Sequence, residues 1–245
     1  MNMNRLKGKS VHKGIALGKI YIVQEAEYKI KKEQIQDVEA ELNRVYSARN
    51  KAAEKLQMLC NKAQEKFGRD VAELVQVQIS MLEDDDYWES IEGKIASQHM
   101  NAEYAVWETG VEYAEVFSTM DNDYMTERSL DIRDITNCMI GHLCNFDSID
   151  IVIEPAIIVA NDLSLNDMLL LDESKILAFV AAHGSTNPYI ALLAKKVNVP
   201  ALVEVDMDLL TLVSGTEAAV DGFVGEFVLE PDENIKNAII SHIEE

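Results

Sequence analysis

Proline is absent between Glu33 and Asn145, and with it the commonest cause of a broken helix. No run of about 18 apolar residues occurs either, so no segment reads as a membrane-spanning helix. The opening MNMNRLKGKSVHKG is basic but has no apolar stretch before a cleavage site, and is not read as a signal peptide. Cysteine is scarce: Cys60, Cys138 and Cys144 make an odd count of three without C-x-x-C spacing. That pattern speaks for structural thiols in a reduced, cytoplasmic setting rather than for a disulfide framework or a zinc site. Positive charge is also short, with 22 basic against 43 acidic residues and a net charge of −21. The chain therefore lacks the basic footprint that nucleic acid requires. Its field suits a basic protein partner, although plain solubility accounts for it too.

What is present falls into two textures. GIALGKIYIV near the N-terminus is short and β-branched, and reads as strand. From Ile35 the apolar positions step by three and four through Val38, Leu42, Val45, Ala52, Leu56, Leu59 and Ala63, with Arg49 the one polar residue in register. This spacing predicts a long helix lying along a partner, stopped at Gly68. Further helices are expected over about 70–82, 86–98, 101–119 and 124–144, with Asn101 as an N-cap. From Ile151 the texture changes to short apolar runs punctuated by Gly, Pro and Asp: IVIEPAIIVAND, KILAFVAA, PALVEV, GTEAAVDG and GEFVLEP. One helix, about 188–197, lies among them. The expectation is an α/β domain of residues 1–32 and 146–245, its sheet completed by the N-terminal strand, with residues 33–145 inserted as helical hairpins.

Specific motifs point to a family. GIALGKIYI, FGRDVAELVQVQISMLEDDD, DNDYMTERSLDIRDI at 121–135, VANDLS at 159–164 and VDGFVGEFVLEPDE follow one another along the chain. In that order they resemble the N-terminal half of enzyme I, the phosphoenolpyruvate–protein phosphotransferase of the bacterial sugar phosphotransferase system. The 121–135 stretch is the most specific, resembling D-x-x-Y-x-x-E-R-x-x-D-[VI]-R-D-[VI]. The resemblance implies a swivelling phosphohistidine-type α/β domain with an inserted helical-hairpin domain that docks the carrier protein HPr. By the same likeness Met81, Leu82, Glu83, Asp84, Met125 and Arg128 are the carrier-binding candidates. Full-length enzyme I continues into a (β/α)₈ barrel that binds phosphoenolpyruvate and Mg²⁺. These 245 residues contain no counterpart of that barrel, so no cofactor is expected here.

Several positions depart from the pattern. The family's phosphoryl loop, G-[GS]-x-[TN]-S-H, is matched here by Gly184, Ser185, Thr186, Asn187, Pro188 and Tyr189, with Lys195 where the family has arginine. The family's Thr or Ser that supports the histidine is matched by Met168. A relay needs a nucleophile that gives phosphate up as readily as it accepts it, which labile phosphoimidazole does. Tyrosine, with a pKa near 10, forms a stable ester. Tyr189 is thus expected to be a dead end, its ring at the mouth of the loop. The other histidines are His12, His99, His142, His183 and His242. Of these, His183 is the candidate substitute, placed beside a helix N-terminus that would seat phosphate. Lys195 could lend a charge there or serve its own helix dipole. The run EDDD at 83–86 is expected to open a helix rather than to bind metal, and Gln78 to be an ordinary exposed residue. Three readings stay open: an enzyme-I-type domain with a degraded relay, an active domain working through His183, and a regulatory scaffold that reuses the helical hairpins.

Overall fold

A computed structural model describes residues 4–23, 28–120, 122–145, 154–184 and 188–237. The chain folds as two compact units, Met1–Glu25 with Ile149–Glu245, and Ala26–Ser148.

The second unit is helical. Asp37 caps the long helix α1 (Val38–Lys66) by accepting from Ala40 N at 2.9 Å. Its buried line runs through Val45, Ala48, Ala52, Leu56, Leu59 and Ala63. Arg49 stays out of that line and lays its guanidinium 4.4 Å over the ring of Trp88. Gly68, at φ 97°, turns the chain into α2 (Arg69–Leu82). The acidic run opens α3 (Asp85–Gln98), with Asp84 as N-cap to Tyr87 N at 3.0 Å. Helices α4 (Ala102–Ser118) and α5 (Asp123–Leu143) complete the bundle. α4 packs on α5 and α1 on α2. Gly110 on α4 faces Thr136 on α5 so closely that an added Cβ would lie 2.2 Å from Thr136 Oγ1.

Asn101 precedes α4 as expected, but its side chain does not cap the helix. Glu41 of α1 does so, accepting from Ala102 N at 2.6 Å while Arg44 holds the carboxylate at 2.7 Å. Asn101 Oδ1 instead accepts from Glu33 N at 2.9 Å, fastening the incoming chain to the α3–α4 turn. Cap preference is local, and a carboxylate from a neighbouring helix has displaced it.

The first unit is a single mixed sheet. Its strands are β1 (Arg5–Lys7), β2 (Lys9–His12), β3 (Ile15–Ile22), β4 (Ala156–Ala160), β5 (Ile176–Ala181), β6 (Ala201–Val203), β7 (Glu217–Asp221) and β8 (Glu226–Leu229), in the order β1-β8-β7-β3-β4-β5-β6-β2. β3, β4, β5 and β6 are parallel, and the rest pair antiparallel. The N-terminal segment serves both edges, β1 along β8 and β2 along β6, with Gly8 between them donating to Gly225 O at 3.0 Å. Ile20, Ile157, Val159, Val180, Leu202 and Phe227 fill one core cluster. Helix α6 (Leu165–Leu170), a second helix in this part of the chain where one was expected, starts at Ser164, whose side chain accepts from Asp167 N at 3.0 Å. Helix α7 (Pro188–Val197) has the bounds expected of it.

Tyr87 offers a test of the helical core. Its ring is 1% exposed, its hydroxyl lies 3.2 Å from Thr136 Oγ1, and burial pushes the phenol up to about 12. The fold binds the neutral form. Its contribution is therefore complete below the unfolded pKa near 10 and is lost as pH rises from there towards 12. Denaturant titrations of the whole chain across that window should find a loss of about 2 kcal/mol that Tyr87→Phe does not suffer.

Candidate functional site

The parallel strands β4 and β5 end side by side, and the chain leaving them forms the 161–164 turn and the loop that begins at His183. His183 N donates to Asn161 O at 2.7 Å, and Glu204 N donates to His183 O at 3.3 Å, so the backbone is tied to both neighbours while the side chain is exposed. Gly184 has φ 93°, and a Cβ there would meet Ile190 Cδ1 at 3.1 Å and Asp162 Oδ1 at 3.3 Å. Glycine is the residue that this left-handed, crowded position admits. Ser185 and Thr186 of the expected phosphate loop lie outside the described residues, as does His242.

Helix α7 starts at Pro188, a favourable first position because a proline's missing N–H would have gone unbonded there. The same proline removes one donor from the helix end that would hold a phosphate. Tyr189 follows, only 2% exposed. The expectation of a ring at the loop mouth is corrected: the side chain is a core residue of α7, with Ile190, Leu193 and Ala194. Met168, where the resemblance places a hydroxyl residue, is likewise 2% exposed. Lys195 is exposed two turns along α7, about 10 Å from its N-terminus at 1.5 Å per residue. It does not border the loop.

The remaining histidines stand apart from this arrangement. His12 belongs to β2 with Nδ1 2.9 Å from Val199 O, while His99 and His142 belong to the helical unit. On α6, Asn166 is 7% exposed and its Oδ1 has no hydrogen-bond partner among the described residues.

The carrier-binding candidates split by exposure. Glu83 and Asp84 are exposed at the α2–α3 turn, and Met81 and Met125 are half-buried. Leu82 is fully buried and Arg128 is 5% exposed, so their side chains lie within the helical unit. Arg128 sits 4.7 Å under the exposed ring of Tyr124 and 3.2 Å from Asp131. Gln78 is not the surface glutamine expected from sequence. It is fully buried, and its Nε2 donates to Asp131 Oδ1 at 3.0 Å and Asp134 Oδ2 at 3.2 Å. This bridge ties the end of α2 to α5, one turn from Met81 and one turn from Arg128. Sequence reasoning missed it because a lone glutamine carries no periodic signal. The one available hint was the i, i+3 spacing of Arg128, Asp131 and Asp134 along α5.

A cleft of about 440 Å³ also opens in the helical unit, lined in part by Lys29, Lys31, Arg44, Asn101, Glu103 and Cys144. Arg44 bonds both Glu41 and Glu103 on its wall, and burial pushes the Cys144 thiol up, keeping it protonated.

Comparison with known proteins gives a consistent result. Residues 7–128 match the family described as PEP-utilising enzyme, N-terminal, and residues 152–225 match PEP-utilising enzyme, mobile domain. The chain is 32% identical over 231 residues to the phosphoenolpyruvate-protein phosphotransferase of Bacillus subtilis (strain 168), covering 94% of this chain and 40% of that protein. It is 29% identical over 235 residues to the Priestia megaterium protein of the same name, covering 95% and 41%. The chain thus spans about 40% of the length of the curated relatives it matches. A solution structure of an enzyme I protein superposes with TM-score 0.84 at 26% identity, covering 98% of both chains.

The buried tyrosine makes a stability prediction. Tyr189→Ala should destabilise the chain by about 3 kcal/mol or more, the scale of a large aromatic removed from a core, in urea denaturation. An exposed tyrosine would leave the midpoint nearly unmoved.

Proposed function

We propose that this chain, which belongs to the PEP-utilising enzyme family and is built as the N-terminal region of an enzyme I, works in a sugar phosphotransferase system by docking an HPr-type carrier without relaying phosphate itself. The observation that carries the second half of this reading is the burial of Tyr189 behind Pro188 at the start of α7. An in-line phosphoryl acceptor must be reachable by the donor, and a 2% exposed phenol is not. Even a reached tyrosine would form an ester too stable to pass phosphate on. The helix end has also lost an N–H to proline, and Met168 offers no hydroxyl to orient an imidazole.

Docking is the half that the helical unit supports. Glu83, Asp84, Asp85 and Asp86 stand exposed at the α2–α3 turn, a field that attracts a basic carrier and sets its orientation. The Gln78 bridge fixes that turn against α5. Phosphoenolpyruvate and Mg²⁺ chemistry belongs in the family to the barrel.

The relay is tested by intact mass after incubation with phosphorylated HPr. The native chain should gain nothing, while Pro188→Ser/Tyr189→His should gain one acid-labile phosphate, about 80 Da. An acid-labile phosphate on the native chain would overturn the reading and direct attention to the exposed His183. Docking is tested by NMR titration with the unphosphorylated carrier. Shifts should cluster at the α2–α3 turn and the start of α5, and Glu83→Lys should weaken binding roughly fivefold, as about 1 kcal/mol from a rim charge implies. Shifts elsewhere, or none, would remove the carrier from the proposal.

A further inference from the structure

The charge of −21 is unevenly placed. Residues 1–24 hold Arg5, Lys7, Lys9, Lys13 and Lys19 and no acidic residue. The fold wraps this segment around the turn between β7 and β8. Gly8 N donates to Gly225 O at 3.0 Å, and Gly222 N donates to Gly14 O at 2.8 Å. The turn itself is shaped by Asp221, whose Oδ1 accepts from Phe223 N at 2.8 Å and Val224 N at 3.2 Å. At its apex Phe223 is 63% and Val224 59% exposed. Because β7 runs antiparallel to β3, with Ile15 opposite Asp221, this apex lies at the end of the sheet away from the 161–164 and His183 loops.

Lys7, Lys9 and Lys13 are exposed around it. Lys7 pairs with Glu226 at 2.8 Å, but no ion pair is formed by Lys9 or Lys13 among the described residues. Lys195 belongs to the same end, since the chain just beyond it, at Val199 O, lies 2.9 Å from His12 Nδ1. Two adjacent exposed apolar side chains on this turn, beside lysines that form no ion pair among the described residues, have no role in the core or in the site described above.

We propose that the Phe223–Val224 turn and Lys9 and Lys13 form a peripheral docking surface for an anionic bilayer. Two exposed apolar side chains on a tight turn suit a soft medium that they can enter, with Phe223 and Val224 among the acyl-chain ends and the ammonium groups at the phosphate level. Residues 1–24 carry five basic and no acidic side chains, and this local excess is what draws the segment to a negative plane. The contact is interfacial, and no helix of the described residues is long and apolar enough to cross a membrane. It does not depend on the relay or the carrier.

The test is co-sedimentation of the chain with phosphatidylcholine vesicles, with and without phosphatidylserine. Binding should require phosphatidylserine and weaken with added salt. Phe223→Ser/Val224→Ser should abolish it, and Lys9→Glu and Lys13→Glu should each weaken it about fivefold, with melting temperatures unchanged. A Phe223→Trp variant should shift its emission to the blue on anionic vesicles. No sedimentation, or sedimentation indifferent to these substitutions, overturns the proposal. So does retention on immobilised polyglutamate without vesicle binding, which would assign the surface to an acidic protein partner.

Discussion

The parallel pairing of β3 with β4 is the constraint on which the architecture turns. Lys19 to Ile22 lie in register with Ala156 to Val159, so the chain must leave the end of β3 and return to the beginning of β4. Neighbouring parallel strands always need such a crossover, usually one helix. Here the whole helical unit is that crossover. Because β3 also pairs with β7, both ends of the insertion are anchored in the interior of the sheet rather than at an edge. The sheet cannot be completed until residues far apart in sequence have met, and the non-local pairing implies slow closure relative to the helices.

Much of this was legible because the two periods differ so sharply. A spacing of three and four without proline marks α1 through α5, and short β-branched runs between turn residues mark the strands. What escaped was set by tertiary contact. Asn101 looks like a cap, yet Glu41 from another helix takes the role. Gln78 looks exposed, yet two aspartates on α5 bury it. The loop residues Pro188 and Tyr189 announced a changed site, but nothing local in the sequence distinguishes a tyrosine at a loop mouth from one packed into its own helix. The bifurcation of the N-terminal segment at Gly8, serving both edges of the sheet, has no sequence signature at all.

The departures from the family pattern that the resemblance implies at Met168, Pro188 and Tyr189 would reinforce one another physically. Imidazole at a helix N-terminus is stabilised in its working geometry by a donor or acceptor at its other nitrogen. A methionine in that supporting place leaves any imidazole unoriented, and a proline before it leaves the incoming anion one N–H short. With both present, an apolar filling is the lower-energy use of the space, and the tyrosine ring supplies it. On the proposed reading the result is a better packed helix and a poorer acceptor.

The helical unit has gone the other way. Gln78 Oε1 and Arg128 Nε are buried without hydrogen-bond partners among the described residues, in a cluster that holds Asp131 entirely out of solvent. A cluster of this kind is a stability cost relative to packed hydrophobes. What it provides is one fixed register between α2 and α5, because only one arrangement brings the single amide within reach of both aspartates. That register sets where the acidic α2–α3 turn stands beside the first turns of α5. The α/β unit packs Tyr189 and Met168 into its core, while the helical unit holds a costly polar lock beside an exposed charged turn. The proposed loss of relay and the proposed docking are therefore separable, since each rests on side chains of its own unit.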